Sequence, residues 1–133
     1  MDVGRGLKRE WWRLPRQYHH FQGTALVDEQ LGRLMKTLDE KGLTENTVII
    51  HIADNGHFLG EHQLYSKMLM YEESIRVPLI VRYPGFAPAG SKCDDMVLNL
   101  DMAPTVLELA GLHVPRDMEG RSFRDVIAGR TPP

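Results

Sequence analysis

The segment TVIIHIADNG, residues 47–56, joins a nearly continuous apolar run to a short polar turn. The run at 47–53 is rich in β-branched residues, and this composition predicts a strand buried on both faces, as in a parallel sheet. In open α/β sheets, ligands bind outside the carboxyl ends of the strands. The three residues after this strand, Asp54, Asn55 and Gly56, therefore occupy a position where a functional site is expected.

The elements around this strand follow from apolar spacing and from turn residues. Apolar residues at positions 27, 31, 34, 35 and 38 form the stripe of an amphipathic helix, predicted over 18–41 and stopped by Gly42. Further strands are predicted over 77–83 and 97–100. Asp101 is predicted to cap a helix that runs through Leu109, and Ser122 to cap a last helix over 123–128. Residues 57–76 are polar and mixed, which indicates a long loop with a helical turn at 71–75.

A helix, a short turn and a buried strand make one half of a βαβ repeat, so the fold class is α/β with a doubly wound, mostly parallel sheet and flanking helices. Two or three strands are too few to complete such a sheet, because parallel sheets are covered on both faces. We therefore expect the chain to be part of a larger protein. The expected organisation is an irregular N-terminal segment at 1–17, a partial domain at 18–129 and a loose tail at 130–133.

Composition excludes several classes of function. The chain has 133 residues and a formal net charge of -2, a balance that favours neither nucleic acid nor an anionic membrane as a partner. No apolar stretch approaches the roughly 18 residues that a membrane span needs. The single cysteine, Cys93, excludes an internal disulfide framework and a multi-cysteine zinc site. Nothing in the sequence indicates a compartment.

Asp54 and Asn55 offer a carboxylate and a carboxamide, the hard oxygen ligands that calcium and magnesium prefer. Gly56 would let the chain turn away so that both side chains face one point. The alternative is an ordinary turn after a strand, since Asp-Asn-Gly is common turn chemistry. The three residues alone leave both interpretations open.

The next loop adds an imidazole and an ammonium. His62 lies in Gly60-Glu61-His62, and Lys67 follows thirteen residues after Asp54. A metal beside a lysine is a natural clamp for an oxyanion, because both stabilise negative charge on a transferring group. His57 and His62 could serve as ligands, as acids or as plain loop residues, because a single loop histidine is uninformative.

The run IIHIADNGHFLGEHQLYSKMLMYEESIRVPLIVRYPG resembles the C-terminal part of the catalytic domain of sulfatases, in the alkaline phosphatase superfamily. The likeness continues upstream in ALVDEQLGRLMKTLDEKGLTENTVII and downstream in LDMAPTVLELAGLHVPRDMEGRSF. It implies that Asp54 and Asn55 are ligands of a divalent cation, normally calcium, with magnesium as the alternative. It also implies that Lys67 contacts the sulfate group. His62, from its place in the same loop, is a weaker catalytic candidate. The implied substrate is a sulfate ester.

One part of the family pattern is missing from this chain. Sulfatases attack sulfur with a formylglycine made within a Cys/Ser-x-Pro-x-Arg motif, and Cys93 does not lie in such a motif. The resemblance therefore implies that the formylglycine belongs to an N-terminal part of the same enzyme, and that this chain alone is inactive. Two alternatives stay open. One is a phosphodiesterase or phosphonate monoester hydrolase of the same superfamily, and the other is a non-catalytic fragment or binding module.

Overall fold

The computed structural model describes residues 13–130, and these residues form two compact units. The first contains the part up to Thr44 together with Ile52–Pro78, and the second contains Glu45–His51 together with the part from Leu79 onward. The helices are α1 (Arg13–Glu40), α2 (Glu72–Ile75), α3 (Met102–Leu109) and α4 (Arg124–Ile127). The strands are β1 (Ile49–Ile52), β2 (Phe58–Leu59), β3 (Tyr65–Ser66) and β4 (Leu79–Arg82). Mixed helix and strand confirm the coarse fold class.

Helix α1 begins at Arg13, five residues before the predicted start at Tyr18, so the irregular segment predicted for 1–17 is wrong over 13–17. The remaining part of that prediction, residues 1–12, lies outside the described residues, as does 131–133 of the predicted tail. The predicted stop at Gly42 is confirmed. Gly42 has φ +64°, and the next amide, of Leu43, donates to the carbonyl of Leu38 at 2.9 Å. A left-handed glycine with this bond is a common way to end a helix.

The apolar stripe of α1 is only partly buried in the described chain. Val27 is 55% exposed and Leu34 is 51% exposed, whereas Leu31, Met35 and Leu38 are half-buried. The predicted helix is therefore present, but its stripe is only partly covered. Among the described residues, no helix combines the length and apolar character of a membrane span.

The segment predicted as one long loop contains more regular structure than expected. Strands β2 and β3 pair antiparallel, with Phe58 opposite Ser66 and Leu59 opposite Tyr65. The predicted helical turn at 71–75 is confirmed by α2. Phe58 is 1% exposed and lies beside the rings of His62 and Tyr71. A single buried aromatic ring thus organises the first unit around this hairpin.

Strands β1 and β4 pair in the second unit, although Ile52, the last residue of β1, belongs to the first. Both strands are shorter than predicted. All four residues of β1 are half-buried, so the prediction of burial on both faces is wrong for the described chain. The reason is that the sheet has two strands here and supplies β1 with one hydrogen-bonded neighbour.

The third strand predicted at 97–100 is also wrong, since a 3-10 turn forms at Asn99–Asp101. The carboxylate of Asp101 explains this turn. It accepts the backbone N–H of Leu98 at 2.9 Å and that of Arg121 at 2.8 Å. Backbone groups that would have joined a strand ladder are satisfied locally instead. Asp101 precedes α3 as predicted, but its side chain does not cap that helix.

Thr105 links α3 to the last helix. Its side chain is completely buried, donates to the carbonyl of Asp101 at 2.6 Å and accepts the amide of Phe123 at 3.0 Å. Ser122, the predicted cap of α4, accepts the amide of Arg124 at 3.2 Å. Phe123 and Ile127 are buried beside these bonds, at 5% and 7% exposure. A threonine with both hydrogen-bonding roles filled therefore ties the elements of the second unit together.

Candidate functional site

The candidate site begins two residues after the end of β1, within the first unit. Asp54 is exposed, and its Oδ1 accepts the backbone N–H of Asn55 at 2.9 Å. The carboxamide of Asn55 is oriented by a second local bond, in which Nδ2 donates to the carbonyl of Gly56 at 2.7 Å. Because the amide nitrogen is held by the backbone, Oδ1 of Asn55 is directed away from it. Two oxygen-bearing side chains are thus presented at the strand end.

Lys67, the residue that follows β3, completes this arrangement. Its Nζ donates to Oδ1 of Asn55 at 2.8 Å, across twelve positions of sequence. An ammonium has three N–H donors, of which Asn55 takes one. Because a carboxamide is neutral, this bond orients the ammonium without neutralising its charge. The pair can therefore attract and orient an anion, with the carboxylate of Asp54 beside it in sequence.

Gly56 has a different role from the one expected of it. It is not among the glycines with positive φ, so the turn does not depend on left-handed geometry. A Cβ atom at this position would lie 2.1 Å from the carbonyl oxygen of Glu73, far inside contact distance. The amide of Gly56 also donates to the carbonyl of Ser74 at 2.8 Å. Glycine is therefore required here because the α2 backbone approaches the strand end closely.

His62, predicted as a weaker catalytic candidate, is paired with Glu73. Its Nε2 lies 3.1 Å from Oε1 of Glu73, and its ring stacks on Tyr71 with centroids 4.7 Å apart. The backbone of His62 is left-handed, with φ +52°. The structure thus fixes the orientation of this imidazole by a carboxylate and an aromatic ring.

His57 and Glu61 have local partners as well. The ring of His57 lies edge-on to Tyr65, with centroids 5.0 Å apart, and stacks at 6.1 Å with His20 of α1. The carboxylate of Glu61 accepts the amide of Leu59 at 2.6 Å. These contacts hold the hairpin and its loop together. They give the side chains of His57 and Glu61 a structural role.

The donor set fits a hard divalent cation in kind. Asp54 and Asn55 supply two oxygens, and Oδ1 of Asn55 keeps a second lone pair besides the one that faces Lys67. A calcium site needs about six to eight oxygens, so two residues can contribute only part of one. Within 13–130, no group of three or more His, Cys, Asp or Glu side chains is arranged to hold a metal ion.

No sequence pattern predicted a role for Ser74 at the site. This residue is 5% exposed, and its Oγ donates to the carbonyl of Lys67 at 2.8 Å. A serine between Glu73 and Ile75 carries no local signal of such a contact. Only the folding of α2 against the hairpin shows that Ser74 lies between the two halves of the site.

Comparisons with known proteins show which family this chain resembles. A family described as N-sulphoglucosamine sulphohydrolase, C-terminal, matches residues 60–133. An N-acetylglucosamine-6-O-sulfatase of Bacteroides thetaiotaomicron is 43% identical over 91% of this chain, which spans 22% of that protein's length.

Two solved structures are similar to this chain in fold as well as in sequence. One is a protein in complex with its substrate, D-glucosamine-2-N,6-O-disulfate. It is 44% identical with a TM-score of 0.79, over 82% of this chain and 22% of that one. The other, a phosphonate monoester hydrolase from Silicibacter pomeroyi, is 34% identical with a TM-score of 0.76, over 80% of this chain and 21% of that one. The similarity thus covers most of this chain and a minor share of each relative.

Proposed function

The chain belongs to the sulfatases, through the N-sulphoglucosamine sulphohydrolase C-terminal family, and from this membership we propose that it forms part of an enzyme that hydrolyses sulfate esters. The observation that carries the proposal is the hydrogen bond from Lys67 to Asn55. It joins a full positive charge to the oxygen ligands at the strand end, which is the arrangement an anionic ester needs for binding and orientation.

Lys67 is the residue assigned to the sulfate group. Its ammonium donates to a sulfate oxygen with the N–H groups that Asn55 does not use, and its charge offsets the charge on that oxygen. Asn55 limits where the ammonium can lie, so the sulfate is held in one orientation. Because this contact strengthens as negative charge accumulates on the transferring group, Lys67 acts mainly on the transition state.

Asp54 and Asn55 are proposed to contribute two oxygen ligands to a divalent cation, calcium with magnesium as the alternative. When bound, such a cation polarises the sulfate oxygens. The remaining ligands and the formylglycine nucleophile are assigned to another part of the same enzyme, because the Cys/Ser-x-Pro-x-Arg motif is absent from these 133 residues. His62 is proposed only as a secondary contact near the site, oriented by Glu73.

The first substrate to test is a sulfate ester of glucosamine. One similar protein is an N-acetylglucosamine-6-O-sulfatase, and another was solved in complex with its substrate D-glucosamine-2-N,6-O-disulfate. We also infer that β1 and β4 belong to an alkaline-phosphatase-like, doubly wound and mostly parallel sheet, of which this chain supplies only a part. This inference is supported by a TM-score of 0.79 to a relative that is 44% identical.

The test is hydrolysis by the whole enzyme to which this chain belongs. We expect release of sulfate from glucosamine 6-O-sulfate and from an aryl sulfate. Absence of sulfate release from both esters, in an enzyme that carries formylglycine and calcium, would contradict the proposal.

A second candidate is a phosphonate monoester hydrolase. It is favoured by the TM-score of 0.76 to the Silicibacter enzyme, and phosphoryl and sulfuryl transfer need similar charge stabilisation. Asn55 favours the sulfatase, since other members of the superfamily place histidine after the aspartate. A kcat/KM for an aryl phosphonate above that for every sulfate ester tested would select this second function. A non-catalytic module would hydrolyse neither.

A further inference from the structure

Ser74 is a buried polar residue of α2. In the described chain, Ser74 and Thr105 are the two buried polar side chains, and each has a hydroxyl with a defined partner. Buried hydroxyl groups are costly unless they are hydrogen-bonded. The partner of Ser74 is the backbone carbonyl of Lys67, at 2.8 Å. Ser74 therefore fixes the backbone of the residue whose side chain reaches Asn55.

The backbone just before Lys67 is strained. Ser66 has φ +86°, a left-handed value that residues other than glycine rarely adopt. Such conformations persist only where surrounding contacts enforce them. Two contacts do so here. Ser66 pairs with Phe58 across the hairpin, and the carbonyl of the next residue, Lys67, accepts the hydroxyl of Ser74.

Ser74 also holds the other half of the site. Its own carbonyl accepts the amide of Gly56 at 2.8 Å, immediately after Asn55. The neighbouring carbonyl, of Glu73, approaches so closely that a Cβ on Gly56 would lie 2.1 Å from it. One residue of α2 thus bonds to Lys67 through its side chain and to Gly56 through its backbone.

From these contacts we propose that Ser74 is a positioning residue, which sets the distance between the Lys67 ammonium and the Asn55 carboxamide. It touches neither substrate nor cation and acts through Lys67. The proposal rests on the proposed function of Lys67 in binding the sulfate group. Loss of the hydroxyl releases the Lys67 carbonyl, lets Ser66 relax from its strained conformation, and lets the ammonium leave Oδ1 of Asn55.

The test is a double-mutant cycle in the whole enzyme, with an aryl sulfate as substrate. Ser74→Ala is expected to lower kcat/KM about fivefold, chiefly through kcat, as expected for the loss of one ordinary hydrogen bond. In a Lys67→Ala background the same substitution is expected to change kcat/KM by less than about twofold, because a residue that acts through Lys67 has nothing left to position. Equal losses in the two backgrounds would overturn the proposal, since a merely structural role acts in both.

The matched control is Ser91→Ala. Ser91 is exposed and also donates its hydroxyl to a backbone carbonyl, that of Pro88, at 2.8 Å. It lies in the second unit, so kcat/KM should not change. If Ser74→Ala does not fold, Ser74→Cys keeps the side-chain size with a weaker donor. We expect Ser74→Cys to lower kcat/KM at least about twofold with Lys67 present and to leave it unchanged in Lys67→Ala.

Crystal structures separate this proposal from the proposed function. In Ser74→Ala, or in Ser74→Cys, we expect the Lys67 Nζ to Asn55 Oδ1 distance to exceed the 2.8 Å of the wild-type chain, whatever ester the enzyme hydrolyses. An unchanged distance would overturn the positioning role even in an active sulfatase. Failure of the wild-type enzyme to release sulfate would instead contradict the proposed function. The Lys67–Asn55 distance in the Ser74 variants would still decide whether Ser74 is a positioning residue.

Discussion

The ammonium of Lys67 donates a 2.8 Å hydrogen bond to the carboxamide oxygen of Asn55. The two residues come from different segments, the bend that follows β3 and the turn after β1. Their contact brings a positive charge to the end of a strand that also presents the Asp54 carboxylate.

Removing the charge should impair catalysis. We expect Lys67→Ala to lower kcat/KM of the whole enzyme at least about tenfold, a loss of roughly 1.4 kcal/mol of transition-state stabilisation. Steady-state kinetics with an aryl sulfate measure this. Lys92→Ala, which removes an exposed lysine of the second unit, is the control and should leave kcat/KM unchanged. An unchanged kcat/KM in Lys67→Ala would remove this lysine from sulfate binding.

Removing the Asp54 carboxylate should weaken binding of the cation. With Asp54→Ala, we expect the calcium concentration for half-maximal activity to rise at least about tenfold, because one of the roughly six to eight oxygen ligands is lost together with its charge. Titration of the metal-free enzyme with calcium measures the shift, and calorimetry of calcium binding measures it without turnover. The control is Asp94→Ala, at another exposed aspartate. Equal calcium affinity in Asp54→Ala and the wild type would exclude Asp54 as a ligand.

The isolated 133-residue chain should not turn over an aryl sulfate, even with calcium. The chain holds no Cys/Ser-x-Pro-x-Arg motif, and two oxygen ligands would hold calcium weakly. The measurement is sulfate release at high concentrations of the purified chain. Metal-dependent release that disappears in Asp54→Ala would show that the chain carries a complete site and would refute this prediction.

Two glycine substitutions should have opposite effects on stability. Gly56→Ala places a Cβ 2.1 Å from the Glu73 carbonyl and should destabilise the protein by about 1–3 kcal/mol, as overpacking does. Gly23→Ala, in the exposed interior of α1, has nothing within 4 Å of the new Cβ and should stabilise the protein by about 0.5–1 kcal/mol. Melting temperatures should therefore move in opposite directions. A Gly56→Ala protein as stable as the wild type would contradict the close approach.

Thr105 provides a test of the second unit. Thr105→Val keeps the shape of the side chain but leaves the buried amide of Phe123 without its 3.0 Å acceptor, at a cost of about 1–3 kcal/mol. Thr37→Val is the matched control, because Thr37 is exposed and donates only to a carbonyl of its own helix, at 2.9 Å. We expect its effect to stay within about 0.5 kcal/mol. Equal melting temperatures for the two variants would show that the Thr105 bonds contribute nothing to stability.

Local patterns predicted most of the elements in this chain. The helix that ends at Gly42, the strand before Asp54 and the turn at 71–75 depend on apolar spacing, β-branched runs and glycine. Such signals are contained within a few residues, so no distant partner is needed to recognise them. The strand expected at 97–100 does not form because Asp101 satisfies the amide of Leu98 locally and also accepts the amide of Arg121, twenty residues away, which no local pattern indicates.

The chemical types at the site follow from the amino-acid sequence alone. It places a carboxylate and a carboxamide after an apolar run and a lysine thirteen residues after the carboxylate, and it carries the resemblance from which their roles in a sulfatase are expected. Which of these groups meet depends on the tertiary structure. It joined Lys67 to Asn55, paired His62 with Glu73 and placed Ser74 between Lys67 and Gly56. Residue type and local spacing determine what a side chain can bind. Its actual partner depends on how α2 and the β2–β3 hairpin pack, since contacts across seven to eighteen positions form only when the chain folds back on itself.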